Sequence, residues 1–327
     1  MEKLLILGDL QIKSNEPYSI AFNNFIDWMK VQSFNNDNNI LLQLGDLYDS
    51  SLPDPKTNQL VLKFFNNLKF KKIYILQGNH EFNGVSKQSS LDILKEFNKN
   101  IEIITNIKIL DIGNLKCLCL PYFYPSQNDI NIYNFYNNLS EEYYLKDYDF
   151  IFHHLEDENN HFGKKYVDLS KLKGDRIAGH IHIATNDYIG TPFPTRYDEK
   201  DQKGKIIEIA IESKEKIQHN IPMFINYIDI EYPNDLVFNS EGLSYFTIKN
   251  AIDYIAAKDY YINKYKEKTL YFRKISLKKL ERTIKEIKNS DLKQKDSINT
   301  FFNNFSKQNK LSDSLQKRCK IYLDKIK

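Results

Sequence analysis

Ile40-Leu41-Leu42-Gln43-Leu44-Gly45-Asp46-Leu47-Tyr48-Asp49 is an apolar run that stops abruptly at a glycine and two carboxylates. A strand so uniformly apolar fits a parallel sheet covered by helices better than a half-exposed one. Asp46 follows it directly, where an unpaired carboxylate is costly to bury and a cation would remove the cost. The same pattern recurs on both sides. Leu4-Leu5-Ile6-Leu7 runs into Gly8-Asp9-Leu10-Gln11, and Ile73-Tyr74-Ile75-Leu76 runs into Gly78-Asn79-His80-Glu81. Further on, Phe150-Ile151-Phe152 precedes His153-His154, and Gly179-His180-Ile181-His182 closes the series. Such strand ends, all delivering Asp, Asn, Gln or His, predict one metal site assembled from distant parts of the chain.

The segments between them support that reading. Helical patterns fall near 17–33 and 55–68, the first with Ile20, Phe22, Phe25, Ile26 and Met29 at helical spacing. Strands near 3–8, 39–44 and 72–77 therefore alternate with helices as βαβαβ. After a helix near 89–97, shorter strands at 101–104, 107–112 and 116–120 crowd together, with Gly113-Asn114 as a turn. Strands recur at 148–153, 175–179, 185–189, 205–211 and 224–231. The order predicts an α/β fold of two mixed sheets sandwiched between helices.

Three regions are expected: a catalytic domain over 1–215, a small α/β region over 216–257 and a helical segment over 258–327. Pro222, Pro233 and Gly242 punctuate the middle region. In the last, Leu277, Leu280, Ile284 and Ile287, then Leu315, Cys319, Tyr322 and Ile326, follow heptad-like spacing, with a break at Ser290-Asp291. Charge divides in the same way. Residues 258–327 carry 20 Lys and Arg against 8 Asp and Glu, whereas the remainder carries 26 against 35. A basic tail on an acidic body suits a negatively charged partner, and equally a solvated helical face. Three cysteines, Cys117, Cys119 and Cys319, fit a reducing cytosol and argue against a cysteine-based zinc site. No apolar run approaches the ~20 residues of a membrane span. Met1-Glu2-Lys3 leads straight into a strand, without a signal-peptide pattern.

Carboxylate, imidazole and amide oxygen together favour manganese, with zinc and iron as alternatives. Asp9 and Gln11 lie two residues apart on one side of a strand end, as do His180 and His182. A carboxylate shared by two ions would build a two-metal phosphoester site. His80 would then protonate the leaving oxygen, and Asp49 would orient it by hydrogen bonding. Five of the seven histidines fall within these motifs, while His161 and His219 lie outside.

With these residues in place, the chain resembles the calcineurin-like metallophosphoesterase family. That family's pattern is Asp-X-His, Gly-Asp-X-X-Asp, Gly-Asn-His-Asp/Glu, a lone His and Gly-His-X-His. The matches run in order from Gly8 to His182. The resemblance implies a double-sheet sandwich flanked by helices. It implies two divalent ions held by Asp9, Gln11, Asp46, Asn79, His154, His180 and His182, with Asp46 bridging and His80 catalytic. It favours His154 over His153, two neighbours that point to opposite sides of a strand. Gln11 stands where the family usually has His, and a neutral amide oxygen is a weaker donor than imidazole.

A second tier looks like SbcD, the nuclease subunit of a double-strand-break processing complex, and its phage recombination endonuclease relatives are similar in length and layout. It rests on Tyr188-Ile189-Gly190-Thr191-Pro192-Phe193-Pro194, Asp198-Glu199 and Lys203-Gly204. The resemblance implies DNA as substrate, a DNA-touching capping region, and C-terminal helices docked on an SbcC-type coiled-coil ATPase. It also implies a homodimer in the cytoplasm, or in the host cytoplasm if the source is viral. Ser50 follows Asp49 where protein phosphatases of the superfamily carry Arg. The competing readings are a small-molecule phosphoesterase and a catalytically weakened DNA-binding subunit.

Overall fold

The computed structural model describes residues 2–83, 88–97, 100–122, 131–161, 166–240, 242–249 and 254–273. The chain divides into two compact units, Met1–Ile225 and Asn226–Lys327. The heptad-like stripes at 277–287 and 315–326 lie outside the described residues.

The first unit contains two sheets. One orders its strands Lys216–Asn220, Lys205–Ala210, Lys3–Leu7, Ile40–Gln43, Lys72–Leu76 and Ile101–Ile104. The last four are parallel, and the first two form an antiparallel hairpin that completes one edge. The other sheet orders Lys173–Ala178, Asp147–His153, Leu115–Leu120 and Lys108–Ile112, parallel except for the last strand. The mixed two-sheet α/β architecture expected from the sequence is therefore present.

Alternation along the strands builds a core between the sheets. Leu4, Ile6, Leu42 and Ile209 of the first sheet join Leu110, Cys117, Cys119, Phe150, Phe152 and Ile177 of the second in one buried cluster. Cys117 and Cys119 are free thiols within it, and burial pushes both well above the ordinary thiol range. Leu5 and Leu41, on the alternate face, are also fully buried, so that face needs cover too. Helices Tyr18–Val31 and Pro55–Asn66 turn apolar residues inward, with Phe25 stacked on Phe64. Asp54 caps the second helix by accepting from Thr57 N at 2.7 Å, and Pro55 starts it. Phe25 also meets Phe193 and Phe224 edge-on, which ties the first helix to the loop after residue 190. The second sheet buries its other face beneath Ile132, Tyr136 and Leu139.

Two boundaries differ from expectation. The 215/216 division falls within the hairpin of the first sheet, because Lys216–Asn220 pairs with Lys205–Ala210 over its whole length. The 257/258 division falls inside helix Tyr254–Lys264. That helix packs with strands Ile225–Ile230, Leu243–Ile248 and Tyr271–Arg273 around Phe246 and Tyr261, the core of the second unit. The strand expected at 185–189 is reduced to a single bridge between Ala178 and Tyr188. A tight turn, with Thr185 N donating to Tyr188 O at 3.0 Å, leaves no length for a ladder. No described helix is long and apolar enough to cross a membrane.

Candidate metal centre

The parallel strands of both sheets end on the same side, and the polar residues of the motifs follow those ends. Asp9 and Gln11 follow Lys3–Leu7, Asp46 follows Ile40–Gln43, and Asn79 and His80 follow Lys72–Leu76. The second sheet delivers His154 after Asp147–His153, and His180 and His182 after Lys173–Ala178. Two short loops are zipped together by Gln11 N to Asp46 O at 2.9 Å, Ile12 N to Leu47 O at 2.9 Å, and Asp49 N to Ile12 O at 3.2 Å.

Close packing strains the backbone here. Gln11, Asp46 and His180 have φ of 47°, 50° and 78°, a left-handed region that non-glycine residues rarely adopt. Gly45, at φ 96°, makes the turn into Asp46. A β-carbon at Gly78 would collide with Asp46 Oδ1, and one at Gly179 would lie 2.6 Å from Asp9 Oδ1. These two glycines keep the walls of the centre open to the carboxylates.

Two groups of side chains, each with its donor atoms within 4.8 Å of one another, could hold a metal ion: Asp46, His154 and His180, and Asp9, Asp46 and His182. Asp46 belongs to both. Asn79 joins the first, its Oδ1 2.8 Å from His180 Nδ1 and 3.2 Å from His154 Nε2. Gln11 joins the second, its Nε2 donating to Asp46 Oδ2 at 3.0 Å. The donor chemistry fits divalent cations. The polar accounting fits them too, because Asp9 Oδ2 and Gln11 Oε1 are buried without a hydrogen-bond partner.

The electrostatics follow from shared burial. Burial raises the Asp9 carboxyl above its usual range, and the Asp46 charge adds to it against the pull of His154. Burial would do the same to Asp46, but His154 and His80 outweigh it and hold that carboxyl well below the carboxylate range. His154 answers in kind. Burial alone would depress it, yet Asp46 at 3.2 Å lifts it to about 9.

The residues around these groups orient them. His154 Nδ1 donates to Leu44 O at 2.7 Å, which leaves Nε2 facing the centre. His182 Nδ1 lies 2.6 Å from Glu199 Oε1, leaving its Nε2 towards Asp9 at 3.8 Å. Glu199 Oε2 accepts from Thr195 N at 2.7 Å and from Arg196 N at 3.2 Å. Glu81 is fully buried and accepts from the backbone N–H groups of Asp46, Tyr48 and Gly78. Burial, then Asp46, push its carboxyl up to about 8. Glu81 and Glu199 stand inside motifs quoted from the sequence, but nothing in their spacing announced these contacts.

His80 lies beside Asp46, and its partner from Asp49 is a main-chain atom. Its Nδ1 lies 2.8 Å from the backbone carbonyl of Asp49, and its Nε2 lies 3.8 Å from Asp46 Oδ2. The Asp49 carboxylate instead pairs with Lys13 at 3.2 Å. Asp49 thus orients His80 through its main chain, a distinction residue type cannot reveal. His161 and His219 stay away from the centre, stacked on Tyr166 and hydrogen-bonded to Glu208 respectively.

His153 points away from the centre. It is fully buried against Tyr188, with both ring nitrogens unbonded and Nε2 3.7 Å from Asp157 Oδ2. Burial, then Arg176, depress it to about 3.

The calcineurin-like phosphoesterase family model matches residues 2–184 of this chain, a span that includes every one of these strand ends. A comparison with curated proteins gives no match.

The His153 environment yields a stability test. The unfolded chain takes up a proton on His153 near 6.5, and the folded chain does so only near 3. Between these values acid favours unfolding, so stability falls as the pH drops. Between pH 7 and pH 5 the parent should lose about 2 kcal/mol more unfolding free energy than His153→Phe. Denaturant melts at the two pH values measure this, and equal losses would remove the buried neutral histidine.

Proposed function

The chain belongs to the calcineurin-like phosphoesterase family, whose chemistry is metal-dependent phosphoester hydrolysis, and from that premise we propose that it is a manganese-dependent DNA nuclease. The observation that carries the hydrolytic reading is Asp46, shared by two groups of metal-binding side chains, with His80 beside it. Asp9, Gln11, Asp46 and His182 would hold one ion; Asp46, Asn79, His154 and His180 would hold the other. Bound there, the ions would neutralise phosphate charge and lower the pKa of water.

The chain's own groups define the proton path. The Asp49 carbonyl is an acceptor, so His80 Nδ1 keeps its proton and Nε2 is the nitrogen that exchanges one. As water attacks phosphorus, the P–O bond to the leaving group breaks and its electron pair stays on the leaving oxygen. His80 Nε2 delivers the proton to that oxygen, and solvent replaces it. Glu199 holds His182, and the Leu44 carbonyl holds His154, in the ring orientations the centre needs.

DNA as the substrate is supported by the SbcD-like stretch from Tyr188 to Gly204 and by the basic charge of residues 258–327. Within that stretch, Thr191 N donates to His182 O at 3.0 Å, and Gln202 Nε2 donates to Thr191 O at 2.7 Å. The same reading makes the chain the nuclease subunit of a recombination or repair complex. It would act as a homodimer in the cytoplasm, the host's if phage-encoded, and dock its C-terminal segment on an SbcC-type coiled-coil ATPase.

Purified protein with manganese should degrade linear double-stranded DNA, and His80→Asn should reduce cleavage by about 10²-fold or more. Hydrolysis of a generic phosphodiester dye without DNA cleavage, even with the ATPase partner, would favour a small-molecule enzyme. Inactivity on both would favour a weakened DNA-binding subunit, the reading that Gln11 best supports. Manganese titration by calorimetry should resolve one tight and one weak site, and Gln11→His should tighten the weak one. Two equally tight sites in the parent would contradict the assigned role of Gln11.

A further inference from the structure

Lys13 is a cation at the edge of the centre, and its surroundings are specific. Its side chain is 18% exposed. The ammonium donates to Asp49 Oδ1 at 3.2 Å and to Thr195 O at 3.4 Å, and it lies 4.3 Å from the centre of the Tyr18 ring. An ammonium has three N–H groups, and three acceptors surround this one. It is already committed to the protein rather than held out for a substrate phosphate.

Those acceptors belong to the two sides of the reaction centre. Asp49 carries the carbonyl that receives His80 Nδ1. Thr195 belongs to the loop whose N–H and hydroxyl hold Glu199, which in turn holds His182. The backbone zipper from Gln11 to Asp49 ends with Asp49 N on Ile12 O, and the carboxylate link to Lys13 is a second tie on the residue that carries the carbonyl.

We propose that Lys13 is a positioning residue for His80: through Asp49 it fixes the imidazole at the angle from which Nε2 protonates the leaving oxygen, and through Thr195 it fastens that proton donor to the His182 side of the centre. The inference rests on His80 being the proton donor. A misplaced donor matters most when the leaving oxygen is strongly basic, because such an oxygen cannot depart without a proton. A good leaving group such as p-nitrophenolate departs almost unaided.

The test is a series of aryl phosphodiesters of increasing leaving-group pKa, assayed with manganese on the parent, Lys13→Met, Lys13→Arg, Asp49→Asn and His80→Asn. Lys13→Met should cut kcat about tenfold or more on the poorest leaving group and less than about threefold on p-nitrophenol, with KM unchanged. Asp49→Asn breaks the pair from the other side while keeping the carbonyl, and should steepen the dependence in the same way. Lys13→Arg should restore most of the loss. Lys13→Met and Asp49→Asn together should cost little more than either alone. A uniform loss across the series, or a rise in KM alone, would overturn the proposal and make Lys13 a structural or phosphate-binding residue. If His80→Asn steepens the dependence while Lys13→Met does not, the proton-donor reading stands and the Lys13 inference falls. A flat His80→Asn response would overturn both.

Discussion

Burying the Asp46 carboxylate beyond the fully buried strand Ile40–Gln43 creates a charge that the surrounding residues must balance. Asp46 is 1% exposed, at a positive φ, and each of its polar atoms is engaged. Its N–H goes to Glu81, its Oδ1 meets His80 N and His154 Nε2, and its Oδ2 receives Gln11 Nε2. These partners come from both sheets, so the two sheets must end together for the charge to be tolerated. The inter-sheet core of Leu42, Phe152 and Ile177 is what makes them do so. A site of this kind is strained and polar at its centre, and the apolar sandwich behind it supplies the compensating stability.

The histidines show a common device. Three of the four at the centre have one ring nitrogen occupied by a fixed partner and the other turned inward, whereas His180 Nδ1 meets Asn79 Oδ1 at 2.8 Å. For His154 the partner is the Leu44 carbonyl, for His182 the Glu199 carboxylate, and for His80 the Asp49 carbonyl. Fixing the outer nitrogen sets the tautomer, and the tautomer decides whether the inner nitrogen binds a cation or moves a proton. His153 is the contrasting case, a neighbour in sequence whose ring is buried against Tyr188 and beside the Asp157–Arg176 pair, and burial above all holds it uncharged.

The sequence revealed the centre because its residues sit at fixed short distances from apolar strands, and strand alternation then decides which way they point. Asp9, Asp46, Asn79 and the Gly-His-X-His pair were legible for that reason. Glu199 and Lys13 were not, since their roles depend on loops meeting across the fold: Lys13 and Thr195 are 182 residues apart. Nor can residue type distinguish the Asp49 carbonyl from its carboxylate. The hairpin strand Lys216–Asn220 escaped because it is an edge strand with mostly exposed residues, so it lacks the apolar run that marks its neighbours. Helix Tyr254–Lys264, within which the expected 257/258 division falls, mixes its apolar and polar residues too evenly to signal that Tyr261 anchors a core.

The shared position of Asp46 is best tested by electron paramagnetic resonance at saturating manganese. The parent should show the multiline spectrum of an exchange-coupled manganese pair, whose ions lie about 3.5–4 Å apart in two-metal sites. Asp46→Ala should lose the coupling. A parent spectrum of isolated ions only, or a coupled spectrum that survives in Asp46→Ala, would contradict the assignment of Asp46 as the carboxylate common to both sites.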